Sequence, residues 1–309
     1  MPEHVRAHAV EVIVPATSAN LGPGFDCLGL AVGVHDRVTA MVTDDPGIAV
    51  AVEGEGEESL PRDETHLVAR AMLAAWSAMG LPPAGAVLTC VNAIPQGRGM
   101  GSSAAAIVAG LLLGRALVVD GGDRLTPADV LDLATRMEGH PDNVAAALLG
   151  GFTTAWVETP GAEAVHARAV SHPVHPDVVP VLIVPPVAMP TREARRMLPD
   201  TVLREDAVFN VARSALLVHA LTSDPSLLMS ATEDRLHQDA RASAYAQSHA
   251  LVSELRSRGI AAVVSGAGPS VLALADVSTA PAAMAAAPER WQAVSVPVDS
   301  TGARVHVHG

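Results

Sequence analysis

Residues Ile94 to Gly110 read IPQGRGMGSSAAAIVAG, and the fold turns on how this stretch is understood. Glycines alternate at Gly97, Gly99 and Gly101, Ser102 and Ser103 follow, and the alanine-rich run behind them is helix. A helix start presents unpaired N–H groups and a partial positive charge, and glycines let the backbone close on an anion. The stretch therefore has the make-up of a phosphate loop. The lysine of a P-loop is absent, and the chain holds no lysine at all. Backbone amides, the helix dipole, a serine hydroxyl and a metal ion would carry the charge in its place.

Two other readings fit the same residues. Small residues allow close helix packing. Gly99–Ala104 also matches the GxGxxA dinucleotide fingerprint, with Asp120 at the distance of a ribose contact. On that reading the chain is an NAD(P)-dependent oxidoreductase. Pro95 and Gln96 count against it, because the strand should run directly into the first glycine.

The chain has 309 residues, long enough for two domains. Hydrophobic residues make up 49% and aromatics only 2%, so the cores must be built from Ala, Val and Leu. The net charge is −13, and all 20 basic residues are arginine. That balance argues against nucleic acid or an anionic membrane as partner, while an arginine cluster can still hold a small anion. Cys27 and Cys90 make no disulfide framework. The longest apolar run, Ala104–Gly114, stops at Arg115, too short to span a bilayer. A soluble cytoplasmic protein is expected.

Outward from the loop, Ala84–Pro95 reads as a strand before it and Glu64–Gly80 as a helix closed by glycine. Ala9–Ala16 reads as a strand ended by Pro15, followed by a Gly/Pro/Asn loop from Thr17. Arg37–Thr43 and Gly47–Gly54 read as strands joined by the Asp44–Gly47 turn. Thr126–Gly139 starts as a helix, with Thr126 as cap, Pro127 in the first position and Asp129 completing a capping box. A turn and second helix end at Gly150 and Gly151, and Phe152–Glu158 reads as a strand. Beyond it come a buried strand in Val178–Pro186, a helical region from Asp206 to Met229, and a helix ending at Gly259. Ile260–Asp276 reads as strand, glycine turn, strand, and Trp291–His308 alternates like strand. The mixture lacks strict βα alternation and points to α+β. The domain boundary is expected near Thr159, dividing residues 1–158 from 159–309.

Four segments, taken in order, break the tie over the loop: VPATSANLGPGFDCLGLAV (Val14–Val32), PQGRGMGSSAA (Pro95–Ala105), EGHPDN (Glu138–Asn143) and VVSGAGPSVLAL (Val263–Leu274). They resemble the motifs of the GHMP kinases over nearly the whole chain, and the first and third look most like the homoserine kinases among them. The resemblance implies an amino-terminal domain like ribosomal protein S5 domain 2 and a ferredoxin-like carboxy-terminal domain. It implies ATP-dependent phosphorylation of L-homoserine to O-phospho-L-homoserine, a step toward threonine, with Mg²⁺ as cofactor, and it allows a homodimer.

Site roles follow by the same resemblance. Pro95, Gln96, Gly97, Arg98, Gly99, Met100, Gly101, Ser102, Ser103, Ala104 and Ala105 wrap the ATP phosphates. Arg98 and Met100 stand where small or aliphatic residues are commoner, and Arg98 can point to solvent or to a phosphate. Ser103 and Glu138 are the metal ligands, a donor set that suits Mg²⁺. Asp142 is catalytic, as a positioning group or a proton acceptor, and Asn143 can occupy its place in the alignment. His140 is a ligand contact or a turn histidine with a structural bond. Asn20 and Asp26 lie in the amino-acid site. Of the arginines 192, 195, 196, 235 and 241, Arg195 and Arg241 fit the carboxylate clamp best. Gly268, in the Ser265–Ser270 turn, approaches the substrate from the second domain. His66 lies in a region near the base, where asparagine is frequent.

Overall fold

The computed structural model describes residue 5 and residues 8–158, 166–189 and 191–308. The chain opens with a hairpin of unequal arms, β1 (Ala9–Asn20) and β2 (Gly24–Thr43). Val10, Val12 and Val14 of β1 are buried while Ala9, Glu11 and Ile13 are half-buried, which is the alternation of a sheet covered on one side. Pro15 does not end the strand. A register shift between Pro15 and Ala16 absorbs the missing donor, and pairing with β2 continues to Asn20. The expected loop after Thr17 shrinks to a turn at residues 21–23.

β3 (Ile48–Gly54) follows the Asp44–Gly47 turn but does not pair with β2. After α1 (Leu67–Ala78), β4 (Gly85–Asn92) inserts between them, antiparallel to β2 and parallel to β3. The phosphate-loop candidate then leads into α2 (Ser102–Ala116), a short α3 (Gly121–Arg124), α4 (Pro127–Glu138) and α5 (Asp142–Leu149). The capping box of α4 is formed in both directions between Thr126 and Asp129, and Gly139 ends the helix in left-handed geometry at φ +96°.

β5 (Phe152–Val157) pairs with Leu28–Leu30 of β2, and β6 (Ala167–His172) pairs with β5. The expected boundary at Thr159 lies outside the described residues, and the first sheet continues past it into β6. Next come β7 (Val179–Val184), α6 (Thr191–Arg196) and α7 (Arg204–Thr222). The helical region expected to Met229 breaks at Asp224, whose carboxylate caps a 3₁₀ turn at Pro225–Leu227, and resumes as α8 (Leu228–Ala231). α9 (Ala246–Ser257), β8 (Ala261–Val264), β9 (Val271–Ala275), α10 (Ala280–Ala285), β10 (Gln292–Ser295) and β11 (Arg304–His308) complete the chain.

Among the described residues the first sheet has seven strands. β11–β1–β2–β4–β3 form its main path, and β5 and β6 extend from β2. The second is the antiparallel order β10–β7–β9–β8. In β7 the side chains alternate between two cores: Val181 and Ile183 pack with Leu251 and Leu255 of α9, while Leu182 and Val184 join the larger cluster. Strands β7, β8 and β9 are therefore each apolar at every position, because both faces are covered. The expected terminal strand is two strands in two sheets, with β11 returning to β1.

This topology overturns the oxidoreductase reading. A dinucleotide fold needs parallel strands on either side of the glycine-opened helix. Here α2 runs into α3, and Asp120 caps that helix at φ +54° instead of closing a strand.

Candidate functional site

The loop between β4 and α2 holds Gly97, Gly99 and Gly101 at φ +62°, +73° and +69°, a region that suits glycine. Their spacing is also a packing requirement. A Cβ on Gly99 would stand 2.1 Å from the Ser265 carbonyl oxygen, and one on Gly101 would stand 2.0 Å from Thr17 Oγ1. Both domains hold the loop: Thr17 N donates to Met100 O, Ser265 Oγ to Gly99 O, and Met189 N to Gly97 O. Gly101 caps α2 without a side-chain bond, which leaves the first N–H groups of that helix open.

A cavity of about 230 Å³ lies against this helix start. Of the residues singled out from the sequence, Asn20, Asp26, Gly97, Gly99, Met100, Gly101, Ser102, Ser103, Glu138, His140, Asp142, Asn143, Arg195 and Arg241 all line it. Arg98 does not. Its guanidinium turns to Glu55 and to the Pro186 carbonyl. Gly268 is set back beside the Tyr245 ring, and Gly266 and Ala267 line the cavity instead. Ala104 is buried in the core, and no side-chain geometry for Arg192 lies within the described residues.

The β1–β2 turn, α2, α4, α5, α6 and the 3₁₀ turn at Asp239–Arg241 supply the polar groups. Around the β1–β2 turn, Asn20, Leu21 and Asp26 have positive φ, a concentration of backbone strain of the kind found at functional sites. Asn20 holds that turn: its Oδ1 accepts from Asp26 N, and its Nδ2 donates to Gly266 O across the domains. Arg195, at the end of α6, donates to both carboxylate oxygens of Asp26, at 2.5 and 3.1 Å. Glu138 ends α4, and its Oε1 accepts from Ser103 Oγ at 2.6 Å. Asp142 starts α5 and is buried. Its Oδ1 accepts from Asn143 N at 2.7 Å and lies 2.5 Å from His140 Nδ1. Burial disfavours charge on His140 and is the largest single influence. The bond to Asp142 and the charges of Asp142 and Glu138 outweigh it together and raise the imidazole pKa.

A second cavity of about 250 Å³ adjoins the first through Gly97, Ser102 and Ser103. Val14, Val38, Leu60, Leu67 and Val68 give it apolar walls, and Ala105, Gln96 and His66 also line it. Val68 N donates to His66 Nδ1, so the ring proton sits on Nε2, which is buried with no partner among the described residues. Asp36 lines the same cavity. Burial, reinforced by Glu55, pushes its pKa up to about 6, against the N–H bonds from Ala93 and Ile94 that lower it.

Sequence reasoning missed Thr17, whose Oγ1 donates to Asn143 Oδ1 at 2.7 Å, and Phe25, which lines the first cavity. Both lie within the first motif. Asp36 carried no local signal.

The ligand atoms of Asp26, His140 and Asp142 lie within 4.8 Å of one another. Those carboxylates are already engaged by Arg195 and by His140 with the Asn143 amide. Ser103 Oγ and Glu138 Oε1 together offer hard oxygen donors beside the open helix start, which fits Mg²⁺. Among the described residues no helix is long and apolar enough to cross a membrane.

Residues 66–151 match the GHMP kinases N terminal domain, and residues 215–293 match GHMP kinases C terminal. The chain is 53% identical to the homoserine kinase of Streptomyces coelicolor, over 97% of this chain and 95% of that protein. It is 49% identical to the homoserine kinase of Clavibacter michiganensis, over 96% and 94%. The crystal structure of homoserine kinase from Cytophaga hutchinsonii superposes with a TM-score of 0.84 at 27% identity, covering 99% of this chain and all of that one. Mevalonate diphosphate decarboxylase from Staphylococcus aureus shares the fold, with a TM-score of 0.72 at 15% identity. The two-domain α+β architecture is that of the GHMP kinases, and the chain belongs to that family, among its homoserine kinases.

Proposed function

We propose that this protein transfers the γ-phosphoryl group of ATP to the side-chain hydroxyl of L-homoserine. One observation carries the substrate: Asp26, Arg195 and Arg241 face the same cavity as the open amino terminus of α2. An acid and two arginines match the ammonium and carboxylate of a free amino acid, and the helix start matches a phosphate. A neutral sugar has no use for paired arginines, and mevalonate has no ammonium for Asp26.

The apolar second cavity takes the purine. His66 Nε2–H, which has no partner among the described residues, donates to a ring nitrogen of the purine. The glycine loop and the N–H groups of α2 hold the phosphate chain across the shared wall. Ser103 and Glu138 hold Mg²⁺, which neutralises charge on the phosphate oxygens. Asp142 places the hydroxyl for in-line attack. Both of its protein bonds fall on Oδ1, so Oδ2 is the atom that accepts the substrate's O–H. Asn143, fixed by Thr17, faces the same cavity. The new P–O bond forms at the hydroxyl oxygen as its proton passes to Asp142 Oδ2, the bond between the γ-phosphorus and the β-phosphate oxygen breaks, and ADP leaves. Transfer passes through a loose transition state, so positioning contributes much of the catalysis. The soluble substrates fit a cytoplasmic enzyme.

Coupled ADP release tests the reading. L-homoserine should turn over far faster than galactose, mevalonate or L-serine, whose hydroxyl is one methylene short of the phosphate. Faster turnover of mevalonate or galactose would refute the substrate.

A further inference from the structure

His237 lies between the 3₁₀ turn at Asp239–Arg241 and the first motif, and it is 1% exposed. Its Nε2 is 2.7 Å from the Gly22 carbonyl oxygen, 215 residues away in sequence. A carbonyl only accepts, so the ring proton is on Nε2 and Nδ1 is an acceptor. Arg241 Nη1 donates to that nitrogen at 3.3 Å. The ring also stacks on Phe25, with centroids 5.2 Å apart.

These contacts close a circuit. Arg241 Nε donates to Ala194 O at 3.0 Å, which fixes the helix that bears Arg195. Arg195 grips Asp26. Asp26 follows the Gly22–Gly24 turn, whose Gly22 carbonyl accepts from His237. Phe25 sits at the centre, with the Arg195 and Arg241 guanidiniums 5.7 and 5.6 Å from its ring centre. Asp234 fixes the backbone at His237 by accepting from the N–H groups of Leu236, His237 and Gln238. Burial lowers the His237 pKa, in keeping with a neutral ring that accepts from an arginine.

We infer that His237 is a positioning residue for the amino-acid pocket. It aims Arg241 at the substrate carboxylate while tying that arginine to the turn that carries Asp26. This rests on the amino-acid reading of the first cavity. It predicts that His237 acts on substrate through Arg241, with no contact of its own.

The test is steady-state kinetics on the full chain with variants that separate the two ring nitrogens. His237→Gln places a donor near Nε2 but offers no acceptor at Nδ1. His237→Asn places an acceptor near Nδ1. His237→Gln should raise KM for L-homoserine roughly three- to tenfold, the worth of one hydrogen bond, with KM for ATP unchanged. The rise should be absent for homoserine carboxamide, which lacks the carboxylate, and absent in an Arg241→Ala background. His237→Asn should recover most of the affinity. A wild-type KM in His237→Gln, an equal rise for the carboxamide, or full additivity with Arg241→Ala would overturn the role. If both variants fail to fold, ¹⁵N-histidine spectra decide on otherwise native protein. Arg241→Ala should move the Nδ1 resonance of one neutral, Nε2-protonated imidazole, and no movement overturns the inference. Failure of the wild type to phosphorylate homoserine would defeat the substrate reading. Wild-type turnover with unmoved variants would defeat only the role of His237.

Discussion

Arg195 and Asp26, 169 residues apart, form a two-bond ion pair, with Nη2 to Oδ1 at 2.5 Å and Nη1 to Oδ2 at 3.1 Å. The groups best suited to the two ends of an amino acid are thus paired with each other. A zwitterion can exchange with them, its carboxylate taking the guanidinium and its ammonium taking the carboxylate. One pair becomes two, so electrostatic complementarity is kept throughout. Both side chains are about one-third exposed, at 38% and 34%, so solvent screens the pair and it adds little to stability. Arg195→Ala should therefore melt close to wild type. Its KM for homoserine should rise about 10- to 100-fold, the range for a charge-assisted hydrogen bond, while KM for ATP stays within about twofold of wild type. Comparable increases in both KM values would remove Arg195 from the amino-acid site.

Glu138→Gln should fold normally, because the amide oxygen can still accept from Ser103 Oγ. It should lose activity by about 100-fold or more, since a neutral amide is a poor ligand for Mg²⁺ and leaves phosphate charge uncompensated. Turnover equal to wild type at ordinary Mg²⁺ concentration would exclude the residue from the metal site.

Gly101→Ala tests the tight approach of the loop to β1. Its φ of +69° costs a β-carbon about 1–2 kcal/mol, and the added carbon would overlap Thr17 Oγ1. Moving Thr17 would also release Asn143. The variant should melt lower and use ATP poorly, and Gly101→Val should be worse. Adding Thr17→Ala should recover part of the melting temperature. Wild-type ATP binding by Gly101→Val would show that this loop holds something else.

Asp36→Asn addresses pH. The folded carboxyl titrates at about 6 and its reference value is 3.8. Between those values the unfolded chain has lost the proton that the native state keeps, so stability falls as pH rises from about 4 to about 6 and then levels. The shift corresponds to roughly 2–3 kcal/mol. Asparagine can still accept from Ala93 and Ile94 and carries no charge. Relative to wild type it should melt a few degrees higher at pH 8 and equally at pH 4. Equal melting at both pH values would contradict the raised carboxyl.

Much of the candidate site was legible because its motifs are short. The three loop glycines, Ser103, Glu138 and Asp142 lie in two stretches, each organised by a helix end. Asp36 and Phe25 were not legible. An aspartate inside a strand looks the same in sequence whether its carboxyl meets water or two backbone amides. The orientation of Arg98 was likewise open until Glu55 and Pro186 were seen beside it.

What the sequence alone determined rests on interactions within about one helical turn. The capping box of Thr126 and Asp129, the glycine stop at Gly139 and the open start of α2 form from neighbours, so local residue order suffices. The tertiary structure alone decided the partners of distant segments. β1 runs through Pro15 because β2 pairs with it on both sides of a register shift, and β11 joins the first sheet because β1 has an edge to offer. Arg195 meets Asp26, and His237 meets Gly22, only once two domains pack. Such contacts span 169 and 215 residues, and no local periodicity encodes a partner at that distance.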